Sequence, residues 1–314
     1  MKYIETLHEG DRISEIYLCK NKVSAKTKMG KSYYSLVLQD KTGTLDGKIW
    51  ELGNAIHHFE AMDYIQVDGD VTSFQGSLQM NIRRVRVAQD GEYNAADYLP
   101  VSPFPVEDMY RKLMGFVKSI ESDKLRELAE SFFGDDAFAR RFKSHSAAKS
   151  VHHSFVGGLL QHTLRVTELC NYYCSAYPIL NRDLLITGAL CHDIGKLEEL
   201  APFPANDYTD EGQLLGHIVI GYEMVREHVR TIPGFPEQTA TELGHLILSH
   251  HGELEYGSPK KPALIEAVAL HFADNTDAKL ETMCELLQSA GDGGEEWLGY
   301  QRLLETNVRK TTRS

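Results

Sequence analysis

A histidine and an aspartate stand side by side at His192-Asp193, after the apolar run Leu184–Leu190 and before Ile194-Gly195-Lys196. Residues of the same chemistry recur at His162, at His217, at the pair His250-His251 and at Asp274. The chain holds 14 histidines, and eleven of them follow residue 140. A lone imidazole there is more often a surface or core residue than a ligand, so the arrangement carries the reading. Imidazole nitrogens and carboxylate oxygens, without thiolates, suit Mn²⁺, Fe²⁺, Co²⁺, Ni²⁺ or Zn²⁺. A carboxylate shared by two cations roughly 3.5–4 Å apart is the arrangement that two-metal enzymes use on phosphate esters. The ions lower the pKa of a bridging water, bind phosphate oxygens and stabilise the leaving oxygen.

Each of these residues falls on a separate predicted helix. Apolar residues recur at helical spacing over about 155–176, 183–192, 216–230, 237–249 and 262–288, and strand alternation is hard to find there. Gly195 is a good helix terminator, which puts His192-Asp193 at the last turn of a buried helix. A histidine at such an end can also simply face the helix dipole. His217 starts a helix after Gly216, and His250-His251 end one before Gly252. Asp274 lies inside the long apolar segment Leu264–Leu287. A buried bare carboxylate costs several kcal/mol or more, and a metal would be a partner for it. His152-His153 precede the Gly157-Gly158 turn and could line a pocket. His271 shares a helix face with Asp274, where it would orient a ligand or fill the core. His8, His57, His58, His145 and His228 read as surface residues.

The stretch from about 12 to 90 is different. Tyr34, Leu36 and Leu38, then Ile65 and Val67, then Leu78, Met80 and Ile82 alternate with more polar neighbours, the period of half-buried strands. The turn signals Lys28-Met29-Gly30-Lys31, Asp40–Gly43 and Gln75-Gly76-Ser77 separate them. A short helical stretch at Leu52–Glu60 is expected between the third and fourth strands. Five short strands with that insertion give the order of an OB-fold barrel. The predicted organisation is thus multi-domain: an all-β OB-fold barrel over 1–90, a linker and connecting helices over 91–149, an all-α domain over 150–290, and a C-terminal helix with a basic tail over 291–314.

Net charge is −12, and residues 1–90 contribute none of it, with 12 basic and 12 acidic side chains. An acidic protein does not attract polyanions as a whole, so a nucleic acid would need a local patch. One is present. Five lysines and no acid lie between Tyr17 and Gln39. Lys28, Lys31 and Tyr33 sit around the first turn, Phe74 at a later one, and Arg83 in the last strand. Lysines would follow phosphates and an aromatic ring would stack a base; the bland alternative is a solvated lysine edge that blocks strand pairing. No apolar run is long enough for a bilayer, and the start lacks a signal-peptide stretch. Five scattered cysteines argue against a disulfide framework and fit a reducing cytoplasm.

The order His, His-Asp, His, His-His, Asp resembles the HD superfamily of metal phosphohydrolases over roughly 150–285. The resemblance implies that His162, His192, Asp193 and Asp274 hold one metal, and that His217, His250 and His251, with Asp193 bridging, hold a second. It implies catalytic roles for Asp193 and for Lys196, which would contact the substrate phosphate. The barrel joined to such a domain is similar to the YhaM-type 3′-to-5′ exoribonucleases of Gram-positive bacteria over nearly the whole chain. That likeness implies that the barrel feeds a single strand of RNA, or alternatively DNA, to the site. It also implies release of nucleoside monophosphates from the 3′ end, with Mn²⁺ as the usual metal. Two other readings stay open: a phosphohydrolase of cyclic dinucleotides or nucleoside triphosphates, and a non-catalytic single-strand-binding factor. A homo-oligomer is compatible with the acidic, exposed helices.

Overall fold

The computed structural model describes every residue except 28–29, 75, 95–96, 100, 150–154, 291–295, 302–303 and 313–314. The chain divides into two units, Met1–Val101 and Ser102–Ser314.

In the first unit, β1 (Arg12–Lys26), β2 (Ser32–Asp40), β3 (Gly43–Ile49), β4 (Tyr64–Phe74) and β5 (Ser77–Val87) close into a barrel in the order β1-β2-β3-β5-β4. The fifteen residues of β1 are enough to pair twice. Its first half lies antiparallel to β4 and its second half to β2, with an irregular step between Cys19 and Asn21. A parallel β3–β5 ladder completes the circuit. This is OB-fold topology. The alternation read from the sequence points inward at Leu36, Leu38, Ile65, Val67, Met80 and Ile82, all buried.

Residues 52–60 do not form the expected helix. Ile56 makes a parallel bridge with Val85, His57 N–H donates to Val85 O, and Val85 N–H donates to Ala55 O, both at 3.0 Å. Backbone groups that a helix would pair internally are paired with β5 instead. Phe59 then drops into the barrel core, where it is 1% exposed.

The second unit is helical: α1 (Val106–Lys118), α2 (Asp123–Phe133), α3 (Asp136–Ser144), α4 (Gly158–Ala176), α5 (Arg182–Cys191), α6 (Lys196–Glu199), α7 (Asp210–Leu214), α8 (Gly216–Thr231), α9 (Glu237–Ser249) and α10 (Ile265–Ser289). One apolar core joins α1–α3 to the later helices through residues such as Leu113, Phe132, Phe142, Leu160, Leu185 and Leu246. α6 and α7 are too short for apolar periodicity to reveal; α7 depends on Thr209, whose hydroxyl caps Gly212 N–H at 2.9 Å. The expected C-terminal helix is a hairpin of β6 (Trp297–Gln301) and β7 (Thr306–Arg309). Gly299 at φ 80° and Glu305 at φ 51° take left-handed conformations that a right-handed helix does not admit. Among the described residues no helix is long and apolar enough to cross a membrane.

Candidate metal centre

The five helices that carry the predicted ligands, or end at them, are set by local rules. α4 begins after Gly157, whose φ of 83° suits a residue without a side chain, and His162 is buried within its first turns. Asn181 caps α5 by accepting from Leu184 N–H at 3.1 Å. The helix is then buried as far as Cys191, and His192 and Asp193 emerge in the turn that follows. His217 is the second residue of α8, His250 follows the last residue of α9, and Asp274 lies mid-way along α10. α6 and α8 meet at Gly195. A Cβ there would lie 2.6 Å from Gly221 N and would collide with the His217 carbonyl. That close approach sets His217 beside Asp193. Gly195→Ala is therefore expected to cost about 1–3 kcal/mol by overpacking, read as a lower thermal midpoint. An unchanged midpoint would show that the α6–α8 contact is slack.

Asp193 lies between two groups of imidazoles. Its Oδ2 is 3.3 Å from His162 Nε2 and 3.4 Å from His192 Nε2. Its Oδ1 is 3.4 Å from His217 Nε2 and 3.6 Å from His250 Nε2. Asp274 Oδ1 approaches His162 Nε2 at 3.2 Å. Two triads of donor atoms each gather within 4.8 Å: His162, His192 and Asp193, then His217, His250 and His251.

The remote ring nitrogens are occupied. His192 Nδ1 faces Ala189 O and His250 Nδ1 faces Ile247 O, both at 2.7 Å. His162 Nδ1 faces Asp277 Oδ2 at 2.7 Å, and His217 Nδ1 faces Glu199 Oε1 at 2.9 Å. An acceptor at Nδ1 holds the proton there and leaves the Nε2 lone pair for a cation. Each triad thus has one imidazole backed by a carboxylate and one backed by a peptide carbonyl. Neither Glu199 nor Asp277 stands out in the sequence. Asp277 stands three residues after Asp274 and Glu199 three after Lys196, spacings that share a helix face and could have pointed to them.

The residues fit a divalent ion. Asp193 Oδ1 and Oδ2, His217 Nε2 and His250 Nε2 are buried without a hydrogen bond. Of the six such side-chain atoms among the described residues, four belong to this cluster. Buried polar atoms are otherwise paired, so atoms left over at one point call for a ligand. Burial works against the charge of Asp193, but Lys196 and His192 hold its carboxyl well below the ordinary range. Burial lowers His217 and His250, which keeps both neutral, as a ligand must be. Lys196 Nζ lies 2.7 Å from Asp193 Oδ2 as an ion pair without hydrogen-bond alignment.

Of the remaining histidines, His271 Nδ1 lies 3.0 Å from His250 O and its ring packs on Gly252, bracing the segment that carries His250 and His251. His152 and His153 lie outside the described residues. His145 is not a surface residue: it is buried between Ser146 O at 3.0 Å and Leu200 O at 3.1 Å. His228 stacks on Phe132.

On the barrel, Lys31 is exposed and 3.4 Å from Glu51, and Arg83 is paired with Asp70 at 2.6 Å. Phe74 is 60% exposed at the end of β4. Lys28 lies outside the described residues. Tyr33 stacks on Trp50 with ring centres 4.6 Å apart, and Trp50 Nε1–H donates to Asn81 Oδ1 at 3.1 Å. Trp50 carries no cue of its own in the sequence, where the lysine cluster lies one strand earlier.

Residues 159–279 match the family model described as the HD domain. The chain is 32% identical over 288 residues to the 3′-5′ exoribonuclease YhaM of Geobacillus sp. (strain WCH70), covering 90% of this chain and 87% of that one. It is 32% identical over 294 residues to the same-named protein of Bacillus pumilus (strain SAFR-032), covering 93% of each. A structural likeness extends to the second OB-fold domain of replication protein A from Methanococcus maripaludis, at 19% identity, over 29% of this chain and 96% of that one, with a TM-score of 0.23. Identity at this level across nine-tenths of the sequence settles the family: the chain belongs to the YhaM 3′-5′ exoribonucleases, with an OB-fold barrel preceding an HD domain.

Proposed function

We propose that this chain hydrolyses single-stranded RNA from its 3′ end to nucleoside monophosphates, using two divalent ions, with Mn²⁺ the first choice. The supporting observation is Asp193, a buried carboxylate whose two oxygens face different imidazole groups and accept no hydrogen bond. His162, His192, Asp193 and Asp274 would hold one ion, and His217, His250, His251 and the same Asp193 the other. Bound ions supply a water of lowered pKa and charge stabilisation at the phosphoryl oxygens.

The chain's own residues do the rest. Glu199 and Asp277 hold protons on the far nitrogens of His217 and His162 and fix those rings. Lys196, on Asp193, places a further positive charge for a phosphate. The Tyr33–Trp50 stack, with Trp50 43% exposed, offers a ring face for a base, and Lys31 a charge for the backbone. All five cysteines are free, which supports a reducing, cytoplasmic setting.

The test uses a 5′-labelled single-stranded RNA and the metal-stripped full chain. Addition of Mn²⁺ is expected to give a ladder shortening from the 3′ end. An intact strand that still binds would move the assignment to a binding factor. An intact, unbound strand would turn it to nucleotide substrates.

A further inference from the structure

Acids and bases alternate along the contact between α4 and α10. On α10, Asp274, Asp277 and Glu281 recur at spacings of three and four and share a face. On α4, His162 and Arg165 do the same. The two rows interlock. Asp274 Oδ1 is 3.2 Å from His162 Nε2, and His162 Nδ1 is 2.7 Å from Asp277 Oδ2. The other oxygen of Asp277 is 3.6 Å from Arg165 Nη1, which also pairs with Glu281 Oε2. Asp277 is 5% and Glu281 9% exposed, so water does little to screen them.

Asp277 is the carboxylate behind His162 of the first triad, and it stands in a crowded acidic row. Three acidic groups follow one another along a buried helix face. Without a cation between the last two, they would repel, and one would protonate or swing away. Arg165 is that cation. It stays charged at any working pH, and its planar fork can meet two carboxylates at once. Its guanidinium also lies over the Phe104 ring at 5.7 Å, beside a cavity of about 300 Å³ lined by Phe104, Met109, Lys112 and Leu164. One end of the row is therefore a candidate metal ligand, and the other opens on a space that a small cation can enter.

We propose that Arg165 is a positioning residue for the first metal: clamped by Glu281, it holds Asp277 against His162 and so sets the orientation of an imidazole it does not touch. The inference rests on the metal reading given above. It assigns to a side chain outside both triads the selective control of one of them, since the carboxylate behind the second triad is Glu199 instead.

The test titrates Mn²⁺ into the metal-stripped full chain and resolves two classes of site. Arg165→Ala is expected to weaken one class by about tenfold, the lower end of the usual effect of outer partners of a ligand, and to leave the other unchanged. Guanidinium ion, entering through the cavity, should restore the lost affinity, whereas tetramethylammonium should not. Glu281→Gln keeps the guanidinium but loosens its clamp, and should give a smaller loss in the same class, a readout that survives if the alanine variant fails to fold. Equal weakening of both classes would reduce Arg165 to general structural support and overturn the proposal. So would variants that bind as the wild type does, with the wild-type metal sites intact. If the wild type itself bound no divalent ion, the metal reading would fall and this inference with it.

Discussion

Asp193→Ala is expected to abolish hydrolysis of RNA while the helical unit stays folded. Its two oxygens face His162 and His192 on one side and His217 and His250 on the other, so its loss opens both groups together. Several kcal/mol of transition-state charge stabilisation go with it, a loss of roughly 10³-fold or more in rate. Single-turnover kinetics on a labelled strand measure this, with circular dichroism as the control for folding. The alanine also strips Lys196, whose side chain is only 12% exposed, of its partner. Asp193→Asn preserves the volume and separates that packing effect from the lost charge. Wild-type rates in either variant would sink the two-metal reading.

The second large effect concerns stability. Chelation should lower the thermal midpoint, because the unbound site keeps Asp193 and two imidazole nitrogens buried without hydrogen bonds. An ion at a hundred times its dissociation constant stabilises the folded state by about 2.7 kcal/mol per site. For a unit of this size that is a shift of roughly 5–10 °C. The sign with pH follows from His162. Burial opposes its charge, but Asp193, Asp274 and Asp277 raise its pKa well above the ordinary value, so without metal it carries a proton. A binding ion must displace that proton. The metal-induced shift should therefore grow as the pH rises and fade as the pH falls. In Asp193→Ala it should nearly vanish. A midpoint indifferent to chelator and metal across that range would refute the assignment of these residues as ligands.

The candidate residues that the fold gathers into two triads could be picked out of the sequence because metal chemistry restricts residue type and because most of them stood at a readable place: a helix end before Gly195 or Gly252, a helix start after Gly216, an acid among apolar residues. Strands were legible where alternation was strict, as at Leu36 and Leu38. The segment 52–60 was not, because its composition allows a helix and only the free edge of Val85 decides otherwise. The hairpin after residue 296 depends in the same way on two left-handed residues, one of them the glutamate Glu305, which carries no sequence cue. Glu199 and Asp277 stayed hidden because acids are common on helix surfaces, and only packing shows that these two are buried against imidazoles. Trp50 needed a partner from another strand to look like a platform.

The order of the elements along the chain has a consequence for the protein's own synthesis. The barrel is complete by Val101, whereas the first triad lacks its neighbouring acid until α10 supplies Asp274. Domains fold as they emerge, N-terminal first, and at about 5–20 residues per second the stretch between those positions takes roughly 9–35 s to make. An exoribonuclease is born beside the message that encodes it. On the function proposed above, the nascent chain would for that interval carry the strand-holding module before its metal centre is complete, and the transcript under translation would be shielded from its product by the order of the elements.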